Sequence, residues 1–334
     1  MPEAAPPTQL HRRPFPRWLW SAVRAAIVGL VFYLIVRSLF GNWHQLKEHD
    51  FSVEWRLIAA SYLVLWVYLL NRSLLWHYLT CRSGCGIAVS EAIAAWFYSL
   101  LGKYVPGKVF MLAGRLHFYR QEGRGAASIS MCFVLETVCV LLAAIVVLLV
   151  SPLFAPSAVV SGYRIPGLVL LVVFFIAIRP RHLERLGNSL LRLLRRSPVK
   201  LPLRYRHVLI AVAMYTLNWT LLGAGFLLYV DAVYPVPIHY LVYLAGSFAL
   251  ATTIGILAVF APAGLGVREG VLMLALSAIM PQGMAAVVTL GARLWMSLGE
   301  LLAVGAVALV TTFRRRFALR PGGSGQDASS CRER

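Results

Sequence analysis

Acidic residues are scarce in this chain: 13 Asp and Glu stand against 32 Lys and Arg in 334 residues. No Asp-rich metal motif can be assembled from so few, and no Ser/His/Asp or Cys/His set with workable spacing occurs, which argues against an enzyme. Cysteine is almost as rare. Of the five, Cys132 and Cys139 fall in an apolar run, Cys331 lies near the C-terminus, and Cys81-x3-Cys85 has no neighbouring ligand set, so neither a disulfide framework nor a zinc site is expected. No cofactor is expected either. Charge of any sign is limited to 13% of the chain, about half the share in soluble domains.

Long apolar runs fill the space. Hydrophobic residues make up 59% of the chain and the mean hydropathy is +0.73. Windows such as "ISMCFVLETVCVLLAAIVVLLV" (129–150) and "VLIAVAMYTLNWTLLGAGFLLYV" (208–230) reach the roughly 20 residues needed to cross about 30 Å of hydrocarbon. The chain therefore reads as an all-α polytopic membrane protein. The net charge of +19 would point to nucleic acid in a soluble domain, but here the cations sit between apolar runs and follow membrane topology, so no nucleic acid is expected. The run after "HRRPFPRWLWSAVR" lacks a small-residue cleavage site and reads as a first anchor.

Lys and Arg concentrate in five segments: before the first span, then 71–90, 102–128, 179–207 and 313–334, together 26 of the 32. By the positive-inside rule these face the cytoplasm, as do both termini. Crossings are expected at about 22–40, 57–79, 129–150, 160–178, 208–230 and 285–312. The loop 179–207 has Leu183, Leu186, Leu190 and Leu194 at helical spacing with arginines between, the pattern of an amphipathic helix on anionic lipid. Residues 1–20 form a basic N-terminal segment, 21–315 a single transmembrane domain, and 316–334 a polar tail expected to be disordered.

Two further apolar stretches, 88–120 and 240–281, are each interrupted by Pro and Gly: "KYVPGKV" in one, "FAPAGLGVREG" in the other. Proline removes a donor and glycine loosens the backbone, so each reads as two half-helices. Counting six crossings and two re-entrant hairpins, residues 21–150 and 160–312 become inverted repeats; counted as crossings, the hairpins would bring the spans to eight. Over 240–281 a full crossing with a short return is the alternative. Matched broken segments in two halves point to a transporter's binding site, because irregular backbone at membrane depth must line a cavity or be buried in protein.

Candidate binding residues flank the breaks. Lys103, Lys108 and Arg115 surround Pro106 and Gly107, and Arg268 and Glu269 follow the second break, where a helix N-terminus would favour an anion. For Lys103 and Arg115 a role as snorkelling anchors stays open. Glu136, Arg293 and Glu300 lie within expected crossings, where a charge needs a partner or a path; they either balance the cations or hold the bundle together. Asn218 and Trp219 read as interhelical packing.

The residues "LGKYVPGKVF…GR" (101–115), Glu136 and "APAGLGVREG" (261–270) together resemble the lysylphosphatidylglycerol synthase transmembrane-region family, flippase-like integral membrane proteins, over roughly residues 20 to 315. The resemblance implies a lipid-translocating membrane region without the soluble aminoacyltransferase domain that bifunctional members carry. It assigns Pro106, Gly107, Lys108, Pro262, Gly264, Gly266, Arg268 and Glu269 to the family's two motifs. The function expected is translocation of an anionic phospholipid or lipid-linked intermediate across a bacterial inner membrane, with the lipid headgroup as ligand. An accessory subunit serving a lipid or glycan biosynthetic enzyme is the alternative.

Overall fold

A computed structural model describes residues 53–104, 109–151, 185, 188, 189, 204–258 and 266–318, and among these it is all helical. Eight α-helices are described: α1 (Trp55–Arg82), α2 (Val89–Leu100), α3 (Val109–Gln121), α4 (Ala126–Val150), α5 (Tyr205–Asp231), α6 (Leu241–Leu257), α7 (Val267–Leu276) and α8 (Gln282–Ala318). A single 3-10 turn, Leu101–Tyr104, extends α2, and another, Ile238–Tyr240, precedes α6. The crossings expected at 22–40 and 160–178, the loop 179–207 save its helical residues 185, 188 and 189, and both terminal segments lie outside the described residues.

Length divides these helices. Five are long and apolar enough to cross a membrane: α1, α4, α5, α8, and α6 taken with its preceding turn. At 1.5 Å per residue, α2, α3 and α7, of 12, 13 and 10 residues, reach only about 15–20 Å, well short of the hydrocarbon thickness. Helix is the form these apolar segments must take, since it bonds every backbone group within the segment. Glycines in the left-handed region mark the breaks: Gly84 after α1, Gly123 between α3 and α4, and Gly266 before α7, at φ 78°, 69° and 82°.

Side-chain contacts fix the helix directions. Asn71 donates to Asn218 at 2.9 Å, while Ser61, ten residues earlier on α1, has its carbonyl at Gly225, so α1 and α5 run antiparallel. Trp295 donates to the Ser61 hydroxyl at 3.0 Å and Trp66 to the Gly299 carbonyl at 3.1 Å, which makes α8 parallel to α1. Tyr229 reaches the Val288 carbonyl at 3.2 Å and Phe226 packs on Trp295, so α8 starts where α5 ends. Likewise the Cys85 sulfur, just after α1, lies 3.3 Å from that of Cys132 near the start of α4.

Each half thus sends a helical pair into the bundle and takes it back on the same side. Because α1 and α5 oppose one another, the two pairs enter from opposite sides. Among the described residues, α1 to α4 and α5 to α8 thus follow the same order in opposite directions. The first pair, α2 and α3, closes tightly, with Ser99 against Gly114 and Gly102 against Phe110 and Met111. The second, α6 and α7, is held by the Tyr243 hydroxyl on the Ala275 carbonyl at 2.8 Å. It is unequal, since α6 is long enough to span and α7 is not.

Glycine lets the long helices approach one another. Gly223 faces Ala245, Gly225 faces Ser61, Gly246 faces Ser151, and Gly299 faces Tyr62 and Leu65. In lipid, where no hydrophobic force drives one apolar helix onto another, such close contacts and a few polar bonds supply the association. Trp219 adds one, donating to the Val140 carbonyl at 3.2 Å.

Candidate functional site

Charged side chains inside such a bundle are costly and must be compensated. Three ion pairs occur among the described residues: Arg115 with Glu136, Arg293 with Glu269, and Lys103 with Glu300. Every one of these six residues stands out in the sequence as a candidate. Their surroundings differ sharply.

Arg115 and Glu136 are sealed, with side chains 2% and 4% exposed. The guanidinium also donates through Nε to the Ser99 hydroxyl at 3.2 Å, and it lies 4.0 Å above the Trp76 ring and 5.1 Å from that of Phe133. The second carboxylate oxygen of Glu136 accepts from the Trp96 indole at 3.3 Å. Four elements converge on this pair, and it locks α3 against α4.

The other two pairs meet where the tips of the helical pairs approach. Lys103, in the 3-10 turn at the tip of the first pair, reaches Glu300 on α8. Glu269, in the first turn of α7, uses one oxygen for Arg293 on α8 and the other for the Gly266 amide, at 2.7 Å. It thereby caps its own helix from the third position. The N-terminus expected to receive an external anion is in part already filled by this carboxylate. Arg268 lies beside it, 4.6 Å above the Phe248 ring. Arg268 is within electrostatic range of Glu300, Glu269 and Arg293, and Lys103 within range of Arg268 and Arg293, so the five charges form one cluster.

The cluster has a face. Its carboxylates are withdrawn, Glu269 at 3% and Glu300 at 6% exposure, whereas Lys103 and Arg293 stand 26% and 28% exposed in front of them. No carboxylate bonds Arg268 among the described residues. The hydroxyls of Thr252 and Thr253, at the α6 end nearest the break, are buried and lack hydrogen-bond partners. What the tips present is cationic, an arrangement able to hold an anion of phosphate type.

Pro106, Gly107, Lys108, Pro262 and Gly264 lie outside the described residues. Sequence reasoning missed three features. Arg72 was counted among the loop cations, but it belongs to α1, within the long apolar helix, donating to the Tyr68 hydroxyl at 2.9 Å. Only the overlap of the expected span 57–79 with that cation hinted at it. The Thr252 and Thr253 pair and the Phe248 ring under Arg268 carried no signal distinguishing them from ordinary span residues.

Residues 21–303 match the family described as Lysylphosphatidylglycerol synthase TM region. The chain belongs to this family. The match runs from residue 21 into α8 and fits a multi-pass membrane protein of lipid metabolism or translocation. No curated protein matches the chain.

Proposed function

We propose that this chain is a lipid translocase of the bacterial inner membrane, with both termini cytoplasmic. The headgroup of an anionic phospholipid or lipid-linked intermediate binds between the two tips and is exposed to one leaflet and then the other. The single observation that carries this reading is the polarity of the tip cluster: buried carboxylates behind, partly exposed cations in front, and Arg268 bonded by no carboxylate among the described residues. Lys103 comes from one repeat and Arg268 and Arg293 from the other. Relative movement of the repeats therefore alters their spacing, which is what an alternating-access site requires.

In this reading Glu300 and Glu269 hold the cations while the site is empty, and the incoming phosphate competes for Lys103 and Arg293. Arg115 and Glu136 serve as the structural lock beneath. No group arranged for covalent chemistry is needed in this reading, and membership in a membrane-region family supports it. Purified protein in liposomes with a fluorescent anionic lipid tests the proposal through dithionite quenching of the outer leaflet. Exchange that falls on Arg268→Ala with unchanged protein yield supports it. Absence of exchange for every phospholipid and polyprenyl-linked lipid, together with copurification of a biosynthetic enzyme, would favour an accessory subunit instead.

A further inference from the structure

Three contacts between helices occur twice, once with each half in each role. Trp66 on α1 donates its indole N–H to the Gly299 carbonyl of α8 at 3.1 Å, and Trp219 on α5 donates to the Val140 carbonyl of α4 at 3.2 Å. The Tyr98 hydroxyl of α2 lies 3.0 Å from that of Thr311 late in α8, and Gly246 of α6 packs on Ser151, which follows α4. Arg115 with Glu136 joins α3 to α4, and Glu269 with Arg293 joins α7 to α8. A fourth contact is its own counterpart. Tyr68-Leu69-Leu70-Asn71 near the middle of α1 and Tyr215-Thr216-Leu217-Asn218 near the middle of α5 share the pattern Tyr-x-Leu-Asn, and Asn71 donates to Asn218 at 2.9 Å. In two antiparallel helices related by a two-fold axis, equivalent residues touch only where the axis passes between them. A carboxamide both donates and accepts, so it can bond a copy of itself, as neither member of an ion pair can.

We propose that a two-fold axis through Asn71 and Asn218 relates the halves, and that these two residues are the pivot about which the halves exchange conformations during translocation. The pivot rests on the translocase reading above. When each half takes up the other's arrangement, contacts that occur twice map onto one another and are kept, while the contact on the axis maps onto itself. Asn218 is only 2% exposed, so this bond is sheltered throughout. Lys103 with Glu300 behaves differently. It ties the first tip to α8, and among the described residues no ion pair ties the second tip to α4. That bond is the one released as the site turns to the other leaflet, which is also the bond an incoming phosphate competes for.

The test holds the pivot closed. Asn71→Cys/Asn218→Cys is made in the full chain carrying Cys85→Ser and Cys132→Ser, and the two new thiols are bridged by mercuric chloride, a neutral species that enters lipid. The expected result is an unfolding midpoint raised by mercury in the double variant and in neither single variant. Exchange of a fluorescent anionic lipid in liposomes then keeps at least half the rate of the same chain without mercury, measured against the Cys85→Ser/Cys132→Ser background treated alike. The proposal is overturned if mercury fails to raise the midpoint of the double variant, since the two positions are then not apposed, or if the bridge slows exchange at least tenfold. Should the background chain exchange no lipid at all, the translocase reading falls and the pivot with it; exchange in the background that the bridge alone stops overturns the pivot and leaves that reading standing. Asn71→Ala and Asn218→Ala keep the test decisive should the double variant fail to fold. A contact on the axis serves both halves alike, so the two lower exchange per folded chain by the same factor, and a tenfold difference between them overturns the proposal.

Discussion

Arg115 on α3 pairs with Glu136 on α4, and the corresponding contact of the other repeat, Glu269 on α7 with Arg293 on α8, carries the same bond with the charges exchanged. In both halves the second arm of the helical pair is tied to the span that follows it. The two have diverged in burial: the first is sealed, and the second leaves Arg293 at 28% exposure. Removing one partner of a sealed pair strands the other in a medium that cannot solvate it, at about 3–5 kcal/mol. Glu136→Gln and Arg115→Ala are therefore expected to lower folded yield and the unfolding midpoint in detergent. Arg293→Gln removes the cation from Glu269, itself 3% exposed, but that carboxylate keeps the Gly266 amide, so the loss of stability should be smaller. Comparable losses from Glu136→Gln and Arg293→Gln would refute the assignment of the first pair as structural.

Gly102 is required by closeness rather than by backbone conformation. A methyl group there would lie 2.5 Å from the backbone nitrogen of Met111 and 2.6 Å from the carbonyl carbon of Phe110, so α2 and α3 could not close at the tip that carries Lys103. Gly102→Ala is expected to destabilise the pair by about 1–3 kcal/mol, as overpacking does. Gly305→Ala, where nothing lies within 4 Å of the added methyl, is the control and should be neutral. Thermal unfolding of the two variants side by side checks this.

Much of this architecture was legible because lipid imposes a simple code. Apolar length gave α1, α4, α5 and α8 close to their observed limits, and Pro106 and Pro262 marked both interrupted stretches. Pairing the charges was harder. Arg293 and Glu300 share a face of α8 seven residues apart, yet they bind Glu269 and Lys103 on two different tips. Helical spacing reports which residues share a face and says nothing about which neighbour presses on it. Arg72 was misread for a related reason: ten residues from the end of α1 at Arg82, it resembles a boundary cation until the true helix end and the Tyr68 bond are seen.

The approach of Cys85 to Cys132 offers a check on the inverted topology that does not depend on function. Their sulfurs lie 3.3 Å apart, both thiols are free, and they join the segment before the first pair to the start of α4. Mild oxidation of membranes with copper phenanthroline is expected to form an intramolecular disulfide, detected as a linked peptide by mass spectrometry. Both Cys85→Ser and Cys132→Ser should abolish it. If Cys85 instead links only to Cys139 or Cys81, the start of α4 does not lie beside the end of α1.

Arg268 decides between a transport site and a charge network that merely holds the bundle. Its guanidinium lies on Phe248, and no described carboxylate bonds it, so replacing it leaves no buried acid newly stranded. Glu269, beside it, stays bound to Arg293 and to the Gly266 amide. A structural role would thus predict little effect from Arg268→Ala on anything but local packing, whereas an anion-binding role predicts loss of transport with stability kept. The expected result is at least a tenfold drop in the exchange rate of a fluorescent anionic lipid, with an unfolding midpoint within a few degrees of the parent's. Lys103→Gln should lower exchange as well but should also shift the midpoint, because it strands Glu300, which is only 6% exposed. Raising salt should slow exchange in the parent more than in Arg268→Ala, since the partly exposed cations are the ones ions can screen. A salt response unchanged by the substitution would place the anion contact elsewhere.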